Sequence, residues 1–583
     1  MAVLLPPRPV LLCAAAALLA LAGCDEGVVA PPEEPPAATV AALIAEDGGF
    51  ATLDAALAQA DLAGLLAGGG PFTVFAPTDE AFYLLGTRSA GVLLDGASDA
   101  LLAEVLRAHV VRGRHTAEDL RALAAEGGAL TSLDDVPLPV TVADGGALVV
   151  AGVRVEEADR EANNGLVHAV DGVIASHLDL AERLAVLPYT DAFEEALDQT
   201  GLLPQLVGGG ITVLAVLDDG FARQPGGAEA LLGAEAGLRE RVLRYHLTEG
   251  VRSLDDLLGA EEVVSDEGSR LVFSRDARGL PLVNDARILA ADVATSNGVL
   301  HVIAGPLLEH LTIAERLDLI PQAGRVRAAL ASVGLSDLLD DPGPYTFFVP
   351  TDGAFTSLGN NVYNPLLGNQ QADLLPRLLR HHLTEGVVPS DALVLGATFP
   401  SLDDGNTINV QLDSSGSLLV DGGELSAFLD LRASNGILHL MDGILLPDVN
   451  VVDRTFLAGY TRFLDLMAIA GLTETYRTDA PFTVVAPQVV SGFYFDPDND
   501  CLADDTIFDH TAEGIVMSNP LGFAIEDLGG GLIVIDNGLA SRTTSLGTKE
   551  ALVTDLDLEA TNGIVHGVNT WLSLFPDPPV QCN

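Results

Sequence analysis

The sequence predicts an α+β protein made of four tandem domains, and three observations carry that expectation. The first is a repeated pattern of Asn-Gly, two apolar residues and His, found at Asn164-Gly165-Leu166-Val167-His168, Asn297-Gly298-Val299-Leu300-His301, Asn435-Gly436-Ile437-Leu438-His439 and Asn562-Gly563-Ile564-Val565-His566. Its histidines are 133, 138 and 127 residues apart, an interval of domain size. The second is a short run of β-branched and aromatic residues upstream in each unit, at Phe72 to Pro77, Ile211 to Val216, Tyr345 to Pro350 and Phe482 to Pro487. Such a run reads as a buried strand. The third is an apolar pair four residues apart before each strand: Leu53 and Leu57, Phe193 and Leu197, Val326 and Leu330, Phe463 and Met467. Each pair lies on one helix face, which would pack onto the strand.

Composition sets the outer limits. A chain of 583 residues is too long for a single core, and 48% hydrophobic with 19% charged residues excludes a disordered chain. Its 29 basic residues against 82 acidic ones give a formal net charge of −53. That charge repels phosphate backbones and anionic lipid, so nucleic acid is not an expected partner.

In chain order, the N-terminus comes first. Arg8 precedes an apolar run from Val10 to Ala22, long enough for a secretory signal but short of a membrane span. The run ends in Leu21-Ala22-Gly23-Cys24, which resembles the lipobox of bacterial lipoproteins. The resemblance implies cleavage of residues 1–23 and lipidation of Cys24; an ordinary Ala-Gly cleavage site beside an incidental cysteine is the alternative. Residues 24–37, with Pro31-Pro32-Glu33-Glu34-Pro35-Pro36, read as an extended tether. Membrane attachment is then expected through the lipid anchor alone. Removing Cys13 and lipidating Cys24 leaves Cys501 and Cys582, which an exported protein would join as one disulfide; two unpaired thiols are the other reading.

A third series places His109, His246, His382 and His510 between each strand and its Asn-Gly pattern. At this point a family resemblance becomes specific. Pro71-Phe72-Thr73-Val74-Phe75-Ala76-Pro77-Thr78-Asp79-Glu80-Ala81-Phe82 and Asn164-Gly165-Leu166-Val167-His168-Ala169-Val170-Asp171-Gly172 resemble the two conserved boxes of the fasciclin domain family. Four repeats follow, at 38–178, 179–310, 311–447 and a divergent 448–575, with a tail at 576–583. The resemblance implies that each repeat is a β-sheet wedge with packed helices. It also implies secreted or membrane-anchored proteins of adhesion and extracellular matrix. Repeat two reads Val216-Leu217-Asp218-Asp219-Gly220-Phe221, without the proline and threonine of that box. Repeat four departs most, running from Pro487 into Gln488-Val489-Val490-Ser491 and an acidic insertion.

The recurring residues are read as structural. Asn-Gly followed by apolar residues is the turn signature of a hairpin, because both residues tolerate positive φ. The four histidines after it, His168, His301, His439 and His566, are expected to satisfy buried backbone groups; nothing at short spacing would complete a metal site. Asp79, Asp218 and Asp352 each stand three residues before a phenylalanine and suit helix N-caps. Tyr245-His246 resembles a tyrosine-histidine motif tied to cell-surface receptor binding in animal members of the family, and core packing is the preferred reading. Asp496, Asp498, Asp500 and Asp504 follow part of the spacing of a calcium loop, but Cys501 and Ile507 replace its glycine and bidentate glutamate. A solvated insertion is preferred over a calcium site.

No His-Glu-x-x-His, Gly-x-Ser-x-Gly, Cys-x-x-Cys, Gly-x-Gly-x-x-Gly or P-loop occurs, so neither an enzyme nor a cofactor is expected. The expected function is that of a lipid-anchored periplasmic or cell-surface protein binding a protein or polysaccharide of the surface or matrix. The alternative is a protein holding a small apolar ligand in a pocket of one repeat.

Overall fold

The computed structural model describes residues 38–83, 99–143, 145–187, 189–368, 373–478, 481–488, 511–513, 523–526, 532–536, 539–544 and 547–568. They divide into two compact units. One holds the described residues of Met1–Ala81 and Leu102–Ile174, the other those of Phe82–Leu101 and Ala175–Asn583.

In the first unit a seven-stranded sheet runs in the order Val110–Arg112, Phe72–Pro77, Gly165–Val170, Val153–Ala162, Leu148–Val150, Pro137–Val142, Ala129–Thr131. Its centre is a parallel pair, in which the leading strand Phe72–Pro77 lies beside the closing strand Gly165–Val170 with Phe75 opposite His168. All residues of both strands are buried. That explains the unbroken apolar run in the sequence, since a strand covered on both faces has no polar alternation. Helix Ala51–Gln59 buries Leu53 and Leu57. Each side chain of this size removed from water stabilises the fold by roughly 1.5 to 3 kcal/mol.

The second unit repeats this plan three times. Ile211–Val216 pairs in parallel with Gly298–Ile303, Tyr345–Pro350 with Gly436–Met441, and Phe482–Pro487 with Gly563–Val568. The register is the same throughout, placing Leu214, Phe348 and Val485 opposite His301, His439 and His566. In every module a short antiparallel strand flanks the leading strand; the closing strand is flanked by a longer, bulged strand in the first, second and fourth modules and by the three-residue Leu431–Ala433 in the third. The third module differs in dividing its strands between two four-stranded sheets. The helix-borne pairs Phe193 and Leu197, Val326 and Leu330, and Phe463 and Met467 are all buried.

The third and fourth modules share one hydrophobic core. Val362 and Leu366 of helix Asn360–Leu367 belong to the same cluster as Val452, Phe456, Tyr460 and Phe463. The Asn361 side chain donates to the Gly459 carbonyl at 3.1 Å beside it. No helix among the described residues is long and apolar enough to cross a membrane.

Candidate functional site

The recurring polar residues converge where the closing strand begins. The preceding strand turns back through Asn163-Asn164, Ser434-Asn435 and Thr561-Asn562, and in the second module through Thr295 to Asn297. The asparagine therefore ends the loop and the glycine opens the strand, which corrects the reading of Asn-Gly as a pair of turn residues with positive φ. None of Asn164, Asn297, Asn435 and Asn562 has positive φ. Glycine is required for a different reason. A Cβ at Gly165 would lie 2.1 Å from the Phe72 carbonyl oxygen, and one at Gly436 would lie 2.0 Å from that of Tyr345.

The asparagine side chain ties this loop to the start of the module. Asn164 Oδ1 accepts from the Val40 N–H at 2.8 Å, while its Nδ2 donates to the carbonyls of Leu66 at 2.8 Å and Gly68 at 2.6 Å. Val40 is the first residue of helix Val40–Glu46, so the asparagine satisfies an orphan donor at a helix start. Asn297 does the same for Leu180 (2.9 Å), Asn435 for Ile313 (2.9 Å) and Asn562 for Val451 (2.8 Å).

The histidine three residues after the glycine is fully buried in all four modules. His168 Nδ1 accepts from the Asp159 N–H at 3.1 Å, and its Nε2 bonds the His115 carbonyl at 2.9 Å. The same pair of bonds joins His301 to Asp292 (3.3 Å) and Arg252 (3.0 Å), and His439 to Asp430 (3.2 Å) and Val388 (2.8 Å). In the fourth module the Asp557 N–H donates to His566 Nδ1 at 3.2 Å. A carbonyl on one side and an N–H on the other select the neutral tautomer protonated at Nε2. Burial lowers the pKa of His168, His301 and His439, with the carbonyl partner opposing that shift.

Sequence reasoning missed the aspartates facing these rings. Asp159, Asp292, Asp430 and Asp557 have φ of 61°, 55°, 55° and 52°, a left-handed conformation that aspartate tolerates. In three modules the carboxylate turns away from the ring to a helical turn, accepting from the N–H of Ala117, Leu254 and Ser390 at 2.8 Å each. The signal was present, because each aspartate stands nine residues before its histidine. With both nitrogens of His168, His301 and His439 bonded to backbone, these rings offer no lone pair for a metal or for proton transfer.

The other histidine series has the opposite polarity. His109, His246 and His382 end the helices Asp99–Ala108, Ala236–Tyr245 and Leu374–His381. Nδ1 bonds the carbonyl of Val105 (2.7 Å), Val242 (2.7 Å) or Leu378 (2.8 Å) one turn back. Nε2 accepts from the N–H of Ile174 (2.8 Å), Leu307 (2.9 Å) or Leu445 (2.9 Å), beyond the closing strand. Burial pushes His246 down to about 4 and His382 to about 3.

A sequence profile of the fasciclin domain matches residues 48–176, 188–309 and 321–447. The chain belongs to the fasciclin domain family. Among the relatives of this fasciclin-repeat chain is transforming growth factor-beta-induced protein ig-h3 of Sus scrofa, 27% identical over 531 residues, which are 87% of this chain and 73% of that protein. Human periostin is 32% identical over 240 residues, 41% of this chain and 27% of its own length. Protein sll1483 of Synechocystis is 39% identical over 125 residues, 21% of this chain and 66% of that protein. A solved FAS1 domain pair from the insect cell adhesion molecule Fasciclin I is 20% identical with a TM-score of 0.22, covering 46% of this chain and 95% of that one.

Two further fasciclin-box positions fall differently from the sequence reading. Asp79, Asp218 and Asp352 are first residues of their own short helices and cap other helices. Their carboxylates accept from Thr52 (2.7 Å), Ala192 (3.0 Å) and Arg325 (2.6 Å). In the first and third modules the neighbouring Thr78 and Thr351 hydroxyls already cap the local helix, which leaves the aspartate free to reach across. Tyr245 is buried, its hydroxyl donating to the Arg270 carbonyl at 2.9 Å and accepting from Asn284. Among the described residues no group of three or more His, Cys, Asp or Glu side chains is placed to hold a metal. Cys24, Cys501, Cys582, His510 and the aspartates Asp496, Asp498, Asp500 and Asp504 lie outside the described residues.

Proposed function

We propose that this fasciclin-repeat chain is exported, held to a membrane by lipid on Cys24, and displayed in the periplasm or on the cell surface. There it mediates adhesion to a protein or polysaccharide of the surface or matrix, without catalysis. The observation that carries the reading is that the recurring polar residues of each module are consumed by the fold: Asn164, Asp159 and His168, with their counterparts, bond backbone. Recognition then falls to the surfaces between them, and several linked modules strengthen weak contacts through effective concentration. The reading includes repeat boundaries at 38–178, 179–310, 311–447 and 448–575, and a Cys501–Cys582 bridge in the last. The histidines His168, His301, His439 and His566 serve stability in it. The small-ligand alternative finds little room near Phe221, Leu231, Leu308 and Leu319, where the apolar hollow measures about 20 Å³, enough for one water.

Beads coated with the chain test the reading on envelope and matrix material of the producing cells. Retention that soluble chain competes away is expected, and no retention rejects adhesion. In the same preparation Cys24→Ala should move the protein from the detergent phase to the aqueous phase; continued membrane partition rejects the lipid anchor.

A further inference from the structure

A cleft between the second and third modules, within the second unit, holds three arginines without an ion pair among the described residues. It measures about 480 Å³, within the size range of ligand sites, and is lined by Arg223, Gln224, Arg287, Glu309, Arg316 and Arg432 among others. Four arginines in one cleft stand out in a chain of net charge −53.

Arg316 is 4% exposed. One Nη donates to Gln224 Oε1 at 3.3 Å, and its buried Nε has no hydrogen-bond partner. Arg223 and Arg287 are exposed on the lining, and none of these three arginines is in an ion pair among the described residues. The Glu309 charge reaches Arg316 without an ion pair and the guanidinium keeps an unbonded Nε, so an anion entering the cleft offsets the cost of holding it out of water.

The acids of the same cleft narrow the chemistry. Asp285 pairs with Arg432 at 3.0 Å, and Asp430 is engaged by the Ser390 N–H. Glu309 accepts from the Leu308 N–H at 2.9 Å and from Asn284, and burial raises its pKa. A carboxylate at the cleft wall welcomes hydroxyl donors and repels a second carboxylate close by. A run of acidic side chains on a peptide meets that repulsion, and a phosphate polymer meets the net negative charge of the whole chain. A polyhydroxy acid meets the same net charge, but unlike an acidic peptide it brings hydroxyl donors for Glu309 beside each carboxylate.

We propose that this cleft binds an acidic polysaccharide through a uronic acid unit, its carboxylate at Arg316 between Arg223 and Arg287 and its hydroxyls at Glu309 and Gln224. The proposal rests on the adhesion reading and names the chemistry of one partner. Its test is separate from that reading: calorimetric titration of the full chain with tetragalacturonate, with neutral galactotetraose and tetraglutamate as comparisons. Tetragalacturonate should bind, and Arg316→Gln should weaken it about tenfold, the loss of one charge-assisted hydrogen bond. Arg183 and Arg454 hold the same helical position as Arg316, so that buried side chain also bears on folding. The exposed pair Arg223→Gln with Arg287→Gln is therefore the deciding variant, with about tenfold weaker binding and unchanged thermal unfolding. No heat with tetragalacturonate, equal binding by the double variant, or equal binding of galactotetraose overturns the proposal. Tighter binding of tetraglutamate makes the cleft a peptide site and overturns it as well. Beads retained while tetragalacturonate fails to bind would leave adhesion standing without this cleft.

Discussion

Within each of the first three modules, the helix-end histidine and the strand histidine solve the same problem from opposite sides. His382 gives its Nδ1 proton to a carbonyl of its own helix and accepts at Nε2 from Leu445; His439 accepts at Nδ1 from Asp430 and donates at Nε2 to Val388. The residue type is the same and the tautomer is reversed. What decides it is the nearest fixed backbone group: a helix end presents an orphan carbonyl, whereas the left-handed residue Asp430 presents an orphan N–H. A neutral imidazole meets either demand because it carries one donor and one acceptor.

Gly436→Ala should separate the two sites most sharply. Its Cβ would press on the Tyr345 carbonyl and force the closing strand off its partner, at a cost of about 4 kcal/mol or more. Hydrogen exchange at the Asp430 amide should accelerate more than at the Leu445 amide; equal acceleration would show that the two histidines fall together. Next in size, His382→Ala should cost about 3 kcal/mol and His439→Ala about 2, since each leaves two backbone groups unsatisfied and the helix-end site is the more deeply desolvated. Denaturant midpoints of the two variants decide the order, and a larger loss at His439 would reverse the comparison.

The smallest effect is on pH dependence. His246 and His382 titrate at about 4 and about 3 when folded, against an ordinary 6.5. The unfolded chain therefore takes up protons first as pH falls. Their contribution is fully present above about 6.5 and is lost downward through the folded values, at about 1.4 kcal/mol per pH unit for each histidine. His382→Gln should flatten that part of the stability profile measured by chemical unfolding, and an unchanged slope would show that His382 is not its source.

The fold was legible wherever a local period reports it. Leading strands such as Phe72–Pro77 announce themselves by unbroken burial, and Leu53 and Leu57 by helical spacing, because both signals arise from neighbours in sequence. The site was legible only in part. Asn164 was singled out for its turn, yet its side chain reaches Val40, 124 residues away, a partner that no window of sequence contains. Asp79 was expected on its own helix and caps Ala51–Gln59 instead. Asp159, Asp292 and Asp557 escaped notice because a bulge breaks the alternation by which a strand is recognised, and Asp430 because it stands before its strand begins.

The parallel pair at the centre of every module also fixes when a module can form. Its two strands come from near the start and near the end of the repeat, as Phe72 and Gly165 do, so the chain must close a long loop before the pair rewards it. A growing chain cannot assemble this pair until the last strand of the module has been made, and the asparagine that fastens the first helix arrives with that strand. Each module therefore stays open through most of its own synthesis and shuts late, in order from the N-terminus. The part of the chain still being made remains slack until its own closing strand is available.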